Sequence, residues 1–158
     1  MNKPPKRLRR LQTVFNRSHP IFFLTICTAK RCPLLGNADI QQQFIVFCRA
    51  SDEKANIWVG RYVLMPDHIH VFVLAEDSAA VSRWVGSLKK YLAVFWKTHG
   101  LAAPFWQEGF FDHVLRSNDS YAEKWVYVEQ NPVRAQLVND SKDWPYAGEI
   151  HPLMWDAV

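Results

Sequence analysis

The chain has 158 residues, the length of one domain, and 49% of them are apolar and 14% aromatic, ample material for a packed core. Nineteen Lys and Arg against fifteen Asp and Glu give a net charge of +4, which admits a polyanionic partner without requiring one. No apolar run approaches membrane-spanning length, and no apolar segment follows the basic N-terminus, so a soluble cytoplasmic protein is expected rather than a secreted or membrane-spanning one.

Residues 1–14 read as a basic arm carrying Lys3, Lys6, Arg7, Arg9 and Arg10 with no acid among them. Such an arm is either a solvated tail or a phosphate-neutralising strap with salt-sensitive affinity. Residues 21–28, after Pro20, are apolar and β-rich and predict a first strand, with Cys27 inside the core. Cys27, Cys32 and Cys48 are odd in number and lack a Cys-x-x-Cys spacing, which argues for reduced thiols and against a disulfide framework or zinc knuckle. A loop over 29–36 leads to a helix capped by Asn37 or Asp39 and running to about Ala50, with Ile40, Phe44 and Phe47 at helical spacing. Residues 57–64 and 68–74 predict two strands joined by a hairpin.

The helix predicted from Ser78 to about Lys97 buries Val81, Val85, Leu88, Leu92 and Phe95, widened by Trp84 and Tyr91. Its basic flank is explained by solvation alone, and Lys89 and Lys90 are its best candidates for a nucleic-acid contact. A break at 100–104 precedes a fourth strand over 110–115. Asn118-Asp119-Ser120 then caps another helix, with Ser120 and Glu123 as a capping box. Asn131 suits an N-cap before Pro132, a helical segment continues over 134–138, and the tail from Asp143 reads as irregular. The order β-α-β-β-α-β plus a helix predicts an α+β fold: a ferredoxin-like antiparallel sheet with helices on one face and a further C-terminal helix. In that topology strands one and three are central and strand two is an edge.

The sequence Tyr62-Val63-Leu64-Met65-Pro66-Asp67-His68-Ile69-His70 holds the most pointed chemistry. Side chains alternate along a strand, so His68 and His70 share a face at the mouth of the third strand. Two imidazoles are half of a divalent-metal site. Candidates to complete it are Asp67, Asp112, His113 and groups on the helix of residues 120–131. On that helix Tyr121, Trp125 and Val128 form the buried stripe, and Tyr127 lies about 120° away from it, on a face shared with Asn131. A phenol and an amide placed so suggest a nucleophile and a metal ligand. A metal would offset charge on a phosphodiester under attack, and a tyrosine would keep the phosphate as a covalent ester that can be rejoined. Singly, each residue has a plainer explanation: a packing tyrosine, a capping asparagine, a structural histidine pair. His19, His99 and His151 receive no role.

Three stretches in order, 62–70, 105–117 (Phe105-Trp106-Gln107-Glu108-Gly109-Phe110-Phe111-Asp112-His113-Val114-Leu115-Arg116-Ser117) and 127–135 (Tyr127-Val128-Glu129-Gln130-Asn131-Pro132-Val133-Arg134-Ala135), resemble the motifs of the REP-associated tyrosine transposases. These are single-tyrosine HUH transposases of bacterial insertion sequences. The resemblance continues through Trp144-Pro145-Tyr146 and places the domain at 15–147, with 148–158 as a tail. It implies binding of folded single-stranded DNA hairpins and cleavage beside them with Mg²⁺ or Mn²⁺. His68 and His70 match the HUH motif, Asn131 the third metal ligand, and Tyr127 the nucleophile, which would retain a 5′-phosphate and release a 3′-hydroxyl. Arg7, Arg9, Arg10, Lys89, Lys90 and Arg116 are the candidate DNA contacts. A cytoplasmic bacterial protein, nucleoid-associated when on DNA, is implied, either monomeric or dimeric. Asp67 departs from the asparagine common at that position. Two alternatives remain: a domesticated hairpin-binding protein without chemistry, and a His-x-His-x-His nucleotide hydrolase, against which Phe72 stands where the third histidine would be.

Overall fold

The computed structural model describes residues 19–115 and 117–153. The basic arm with Arg7, Arg9 and Arg10, and also Arg116, lie outside the described residues. β1 (Ile21–Cys27), β2 (Trp58–Leu64), β3 (His68–Leu74), β4 (Phe111–Leu115) and β5 (Ala147–Glu149) form one antiparallel sheet in the order β4-β1-β3-β2-β5. β1 and β3 are central, as the pattern predicts, and pair from Ile21↔Leu74 to Cys27↔His68.

β2 is not an edge. The segment expected to be irregular supplies β5, which pairs with β2 through Arg61↔Glu149, Tyr62↔Gly148 and Val63↔Ala147. Ala-Gly-Glu has little strand propensity of its own. Its docking comes from the preceding aromatics: Trp144 Nε1 donates to the Leu64 carbonyl (3.1 Å), and the Leu64 amide donates to the Tyr146 carbonyl (2.8 Å).

The two sheet faces are covered differently. On the back, α1 (Ala38–Arg49) and α3 (Ser78–Thr98) lay Ile40, Phe44, Cys48, Val81, Val85, Leu88 and Leu92 against Phe22, Leu24, Ile26, Ile69, Val71 and Val73. Asn37 caps α1 by accepting from the Ile40 amide (3.0 Å), and Asp77 caps α3 by accepting from Ala80 (2.8 Å). At the end of α3 the buried aromatic is Trp96, with Phe95 half-buried beside His99; the stripe drifts by one residue over five turns. A short α2 (Ser51–Ala55) follows α1, and buried Ser51 accepts from Trp84 Nε1 at 2.8 Å.

The front face carries α4 (Asn118–Glu129), whose Tyr121 and Val128 pack with Leu153 on Ile21, Phe23, Val63, Phe72 and Leu115. The cap of α4 is Ser117, one residue upstream of the expected cluster; its hydroxyl accepts from the Ser120 amide at 3.0 Å, so Ser120 is the receiving position rather than the cap. Tyr121 enters a break in the β2 register between Val59 and Tyr62, where its hydroxyl accepts from the Arg61 amide at 3.2 Å. Gly60 permits this approach: a Cβ there would stand 2.7 Å from the Tyr121 hydroxyl and 2.6 Å from Leu153. α5 (Asn131–Arg134) follows directly and stops at Arg134, short of the expected 138, because Gln136 turns left-handed (φ 59°). Cys27 and Cys48 are buried and Cys32 is exposed, all as free thiols. Among the described residues no helix is long and apolar enough to cross a membrane.

Candidate active site

The site begins with the hairpin turn between β2 and β3. The Met65 amide donates to the His68 carbonyl (2.9 Å), closing a turn whose Pro66 fixes one backbone angle in advance. The loop after β1 grips this turn from the side. The Thr28 amide donates to the Asp67 carbonyl (3.0 Å) and the Leu35 amide to the Pro66 carbonyl (2.9 Å). The buried Thr28 hydroxyl lies 3.1 Å from the Asp67 carbonyl and 2.8 Å from that of Cys32. Backbone donors and acceptors in this position would be costly unpaired, so the turn is fixed on both flanks.

His68 and His70 leave this turn on the front face, their Nε2 atoms 3.1 Å apart and their rings edge to face at 79°. Each Nδ1 is engaged on the outer side: that of His68 lies 2.8 Å from Asp67 Oδ1, and that of His70 lies 3.0 Å from Thr25 Oγ1. Phe23 stacks on His70 with centroids 5.2 Å apart. Burial lowers both imidazole pKa values. For His68 the neighbouring Asp67 opposes the shift without reversing it. For His70 burial, then the charges of His68, Lys124, Arg134 and Arg31, bring it to about 3. Both rings are neutral at pH 7, the form that ligates metals. The Asp67 carboxyl is pulled up by burial but held below its ordinary value by hydrogen bonds from His68 and Arg31.

The helix-borne candidates reach this face through α4 and α5. Tyr121 and Val128 are buried as the wheel predicts, Trp125 is half-buried, and Tyr127 is 59% exposed. The Arg134 guanidinium lies over the Tyr127 ring at 3.9 Å, and the same side chain donates to the Tyr127 carbonyl at 2.8 Å. Lys124 stands 5.5 Å from the Tyr127 ring and 4.8 Å from that of Phe23, linking the tyrosine's helix to the ring stacked on His70. Asn131 is the first residue of α5 rather than its cap, and its side-chain carbonyl accepts from Arg134 Nη2.

The remaining candidates separate. Asp112 pairs with Leu24 and so points to the back face, away from the histidines. His113 pairs with Phe23 on the front face and is exposed. Asp67 serves the outer nitrogen of His68, and among the described residues no three His, Cys, Asp or Glu side chains converge as a metal cage. Lys89 directs its ammonium to the carbonyls of Gln107 (2.9 Å) and Gly109 (2.7 Å), tying down the approach to β4, whereas Lys90 is exposed. Sequence reasoning passed over Arg31, Thr25, Lys124 and Arg134. Arg134 was within reach, since a residue seven positions from Tyr127 lies on the same helical face. Arg31 was not, because its partner Asp67 is 36 residues distant.

A neutral histidine pair thus lies on the front of an antiparallel sheet, and the helix that covers that face carries an exposed tyrosine. A family model described as "Transposase IS200 like" matches residues 18–131, a span that includes His68, His70, Tyr127 and Asn131, and the chain belongs to that family. Within it the chain is similar to the REP-associated tyrosine transposase of Escherichia coli (strain K12), 28% identical over 107 residues that make up 61% of each protein. A Haemophilus influenzae protein provisionally given the same designation is 28% identical over 110 residues, 58% of this chain and 62% of that protein. The match thus spans about three-fifths of these relatives' length. In fold it matches the structure of a REP-associated tyrosine transposase bound to a REP hairpin, with a TM-score of 0.69 at 18% identity, over 100% of this chain and 99% of the other.

Proposed function

We propose that this chain is a metal-dependent single-stranded DNA endonuclease and strand transferase that recognises DNA hairpins of palindromic repeats. The observation that carries this reading is the convergence of two neutral Nε2 atoms to 3.1 Å on the sheet face served by the helix of Tyr127. The donor set fits a divalent ion: two neutral imidazoles turn their Nε2 atoms to one point of the front face while Asp67 and Thr25 hold their outer nitrogens. His68 and His70 would hold Mg²⁺ or Mn²⁺, with Asn131 as third ligand once its amide oxygen leaves Arg134. When bound, the ion would act as a Lewis acid on the phosphate under attack.

The protein's own groups do the rest. Tyr127 Oη forms a bond to phosphorus as the bond to the 3′ oxygen breaks; the phenol loses its proton and the departing oxygen gains one as a 3′-hydroxyl. The 5′-phosphate stays on Tyr127, so a second 3′-hydroxyl can reverse the step and join strands. Exposed Lys90, the half-buried Lys124, and Arg134 supply positive charge for phosphates, and Phe111, 69% exposed on the front face, offers a ring for base stacking.

The test is incubation of the protein with end-labelled hairpin oligonucleotides, with Mn²⁺ or with chelator. A denaturant-resistant adduct that requires metal and maps to Tyr127 is expected. Tight hairpin binding without any adduct would overturn the enzymatic reading in favour of a non-catalytic hairpin binder. Mixing Tyr127→Phe and His70→Ala chains separates a tyrosine acting in trans, which would restore the adduct, from one acting in cis.

A further inference from the structure

Arg31 lies on the loop that grips the hairpin turn, where two successive non-glycine residues, Lys30 (φ 53°) and Arg31 (φ 54°), are left-handed. Such a conformation persists only where its surroundings hold it. Here the guanidinium is the anchor through two bonds: Nε donates to Asp67 Oδ2 (2.9 Å) and Nη1 to Cys27 Sγ (3.1 Å), while Nη2, a donor only, lies at the longer distance of 3.3 Å from His68 Nδ1. One carboxylate oxygen is thereby committed to Arg31, and the other lies 2.8 Å from His68 Nδ1. An ionised carboxylate only accepts, and its 2.8 Å contact is shorter than the 3.3 Å approach of the donor-only Arg31 Nη2, so the proton in that bond belongs to Nδ1 of His68.

That assignment fixes every later bond in the line. With Nδ1 protonated, His68 Nε2 is an acceptor, so across the 3.1 Å contact His70 Nε2 must donate. His70 Nδ1 is then an acceptor, and the Thr25 hydroxyl 3.0 Å away donates to it. The order Thr25 to His70 to His68 to Asp67 has one direction, set at the Asp67 end.

We propose that Arg31 and Asp67 set the tautomer of His68, and through it the direction of the whole line, with Arg31 as a positioning residue. Resting on the metal reading above, the consequence is asymmetric. His68 already presents a free Nε2 lone pair, whereas His70 must give up its Nε2 proton and take one at Nδ1. The net proton count is unchanged, and the Thr25 hydroxyl turns from donor to acceptor. A ligand histidine braced by a carboxylate is a general device for fixing ring orientation and basicity; in this chain the carboxylate is itself braced by an arginine.

The test is a long-range ¹H–¹⁵N correlation spectrum of histidine-labelled protein without metal, at pH 7.5. His68 is expected as the Nδ1–H tautomer and His70 as Nε2–H, with added Mg²⁺ moving only His70 to Nδ1–H. Arg31→Ala and Asp67→Ala should give a mixed His68 tautomer and weaken Mn²⁺ binding by about 10–100-fold in calorimetry, with Arg31→Lys recovering part of the loss. The Arg31 side chain is half-exposed, so its replacement leaves the core intact. An Nε2-protonated His68 in the wild-type protein, or variants that change neither tautomer nor affinity, would overturn the proposal. The expected tautomers in a wild-type chain that binds no metal would instead sink the metal reading and leave the role of Arg31 and Asp67 standing.

Discussion

The back of the sheet is covered by two helices that together bury two unbroken apolar stripes, while the front is covered by one helix that buries only Tyr121 and Val128 fully. On the back, six residues of β1 and β3 alone meet side chains from α1 and α3. On the front, the covering stops at Phe23 and Phe72, and the strand ends beyond them carry Thr25, His70 and His68 only partly buried. The difference separates the source of stability from the face proposed for chemistry. Burial on the back holds the sheet, which leaves the front free to keep two partly buried imidazoles at the end of a central strand and a tyrosine facing water.

That division can be broken or sharpened by substitution. The largest expected effect is Tyr127→Phe, which should reduce the covalent adduct to background in the hairpin assay. Because the side chain is exposed, thermal unfolding should shift by no more than about 0.5 kcal/mol. Leu88→Ala, in the centre of the back core, should cost about 2–5 kcal/mol in urea unfolding. It should still form adduct at temperatures where the chain stays folded; loss of chemistry in the folded variant would show that the faces are not separate. Gly60→Ala forces a methyl group into Tyr121 and Leu153, and an overpacking cost of about 1–3 kcal/mol is expected together with a displaced α4 and a weaker adduct yield. A Gly60→Ala protein with wild-type stability would mean that α4 is not seated at that break.

The smallest effect belongs to Tyr121→Phe, which removes one bond to the Arg61 amide and about 0.5–1.5 kcal/mol. Its signature is in the pH dependence. Burial pushes the Tyr121 phenol up to about 12, opposed by the bond to the Arg61 backbone, against about 10 when unfolded. Between those values the unfolded chain has released a proton that the folded chain keeps, so this contribution is intact below pH 10 and lost as pH rises towards 12. Urea midpoints measured across that window should fall less steeply for Tyr121→Phe than for wild type.

The sequence made the back face and the histidine pair legible, because both depend on periodicity: 3.6 for Val81, Val85, Leu88 and Leu92, and two for His68 and His70. The same wheel placed Tyr127 outside the buried stripe. What escaped depends on distant contacts. β5 is held by Trp144 and Tyr146 rather than by the propensity of Ala147, Gly148 and Glu149. The cap of α4 fell on Ser117 among several equally suitable residues. Arg31 took its place through a left-handed turn that no local pattern announces.

The thiols carry a practical corollary. Burial raises the Cys48 thiol well above its ordinary value, which suppresses its thiolate, and Cys27 is buried under Arg31. Cys32 alone faces solvent, on the loop whose other residues clamp the hairpin turn. A maleimide fluorophore should therefore react first at Cys32 in the unmodified protein, placing a reporter beside the turn that carries His68 without engineering a cysteine. Its emission on adding a hairpin oligonucleotide would give a direct readout of the proposed DNA binding.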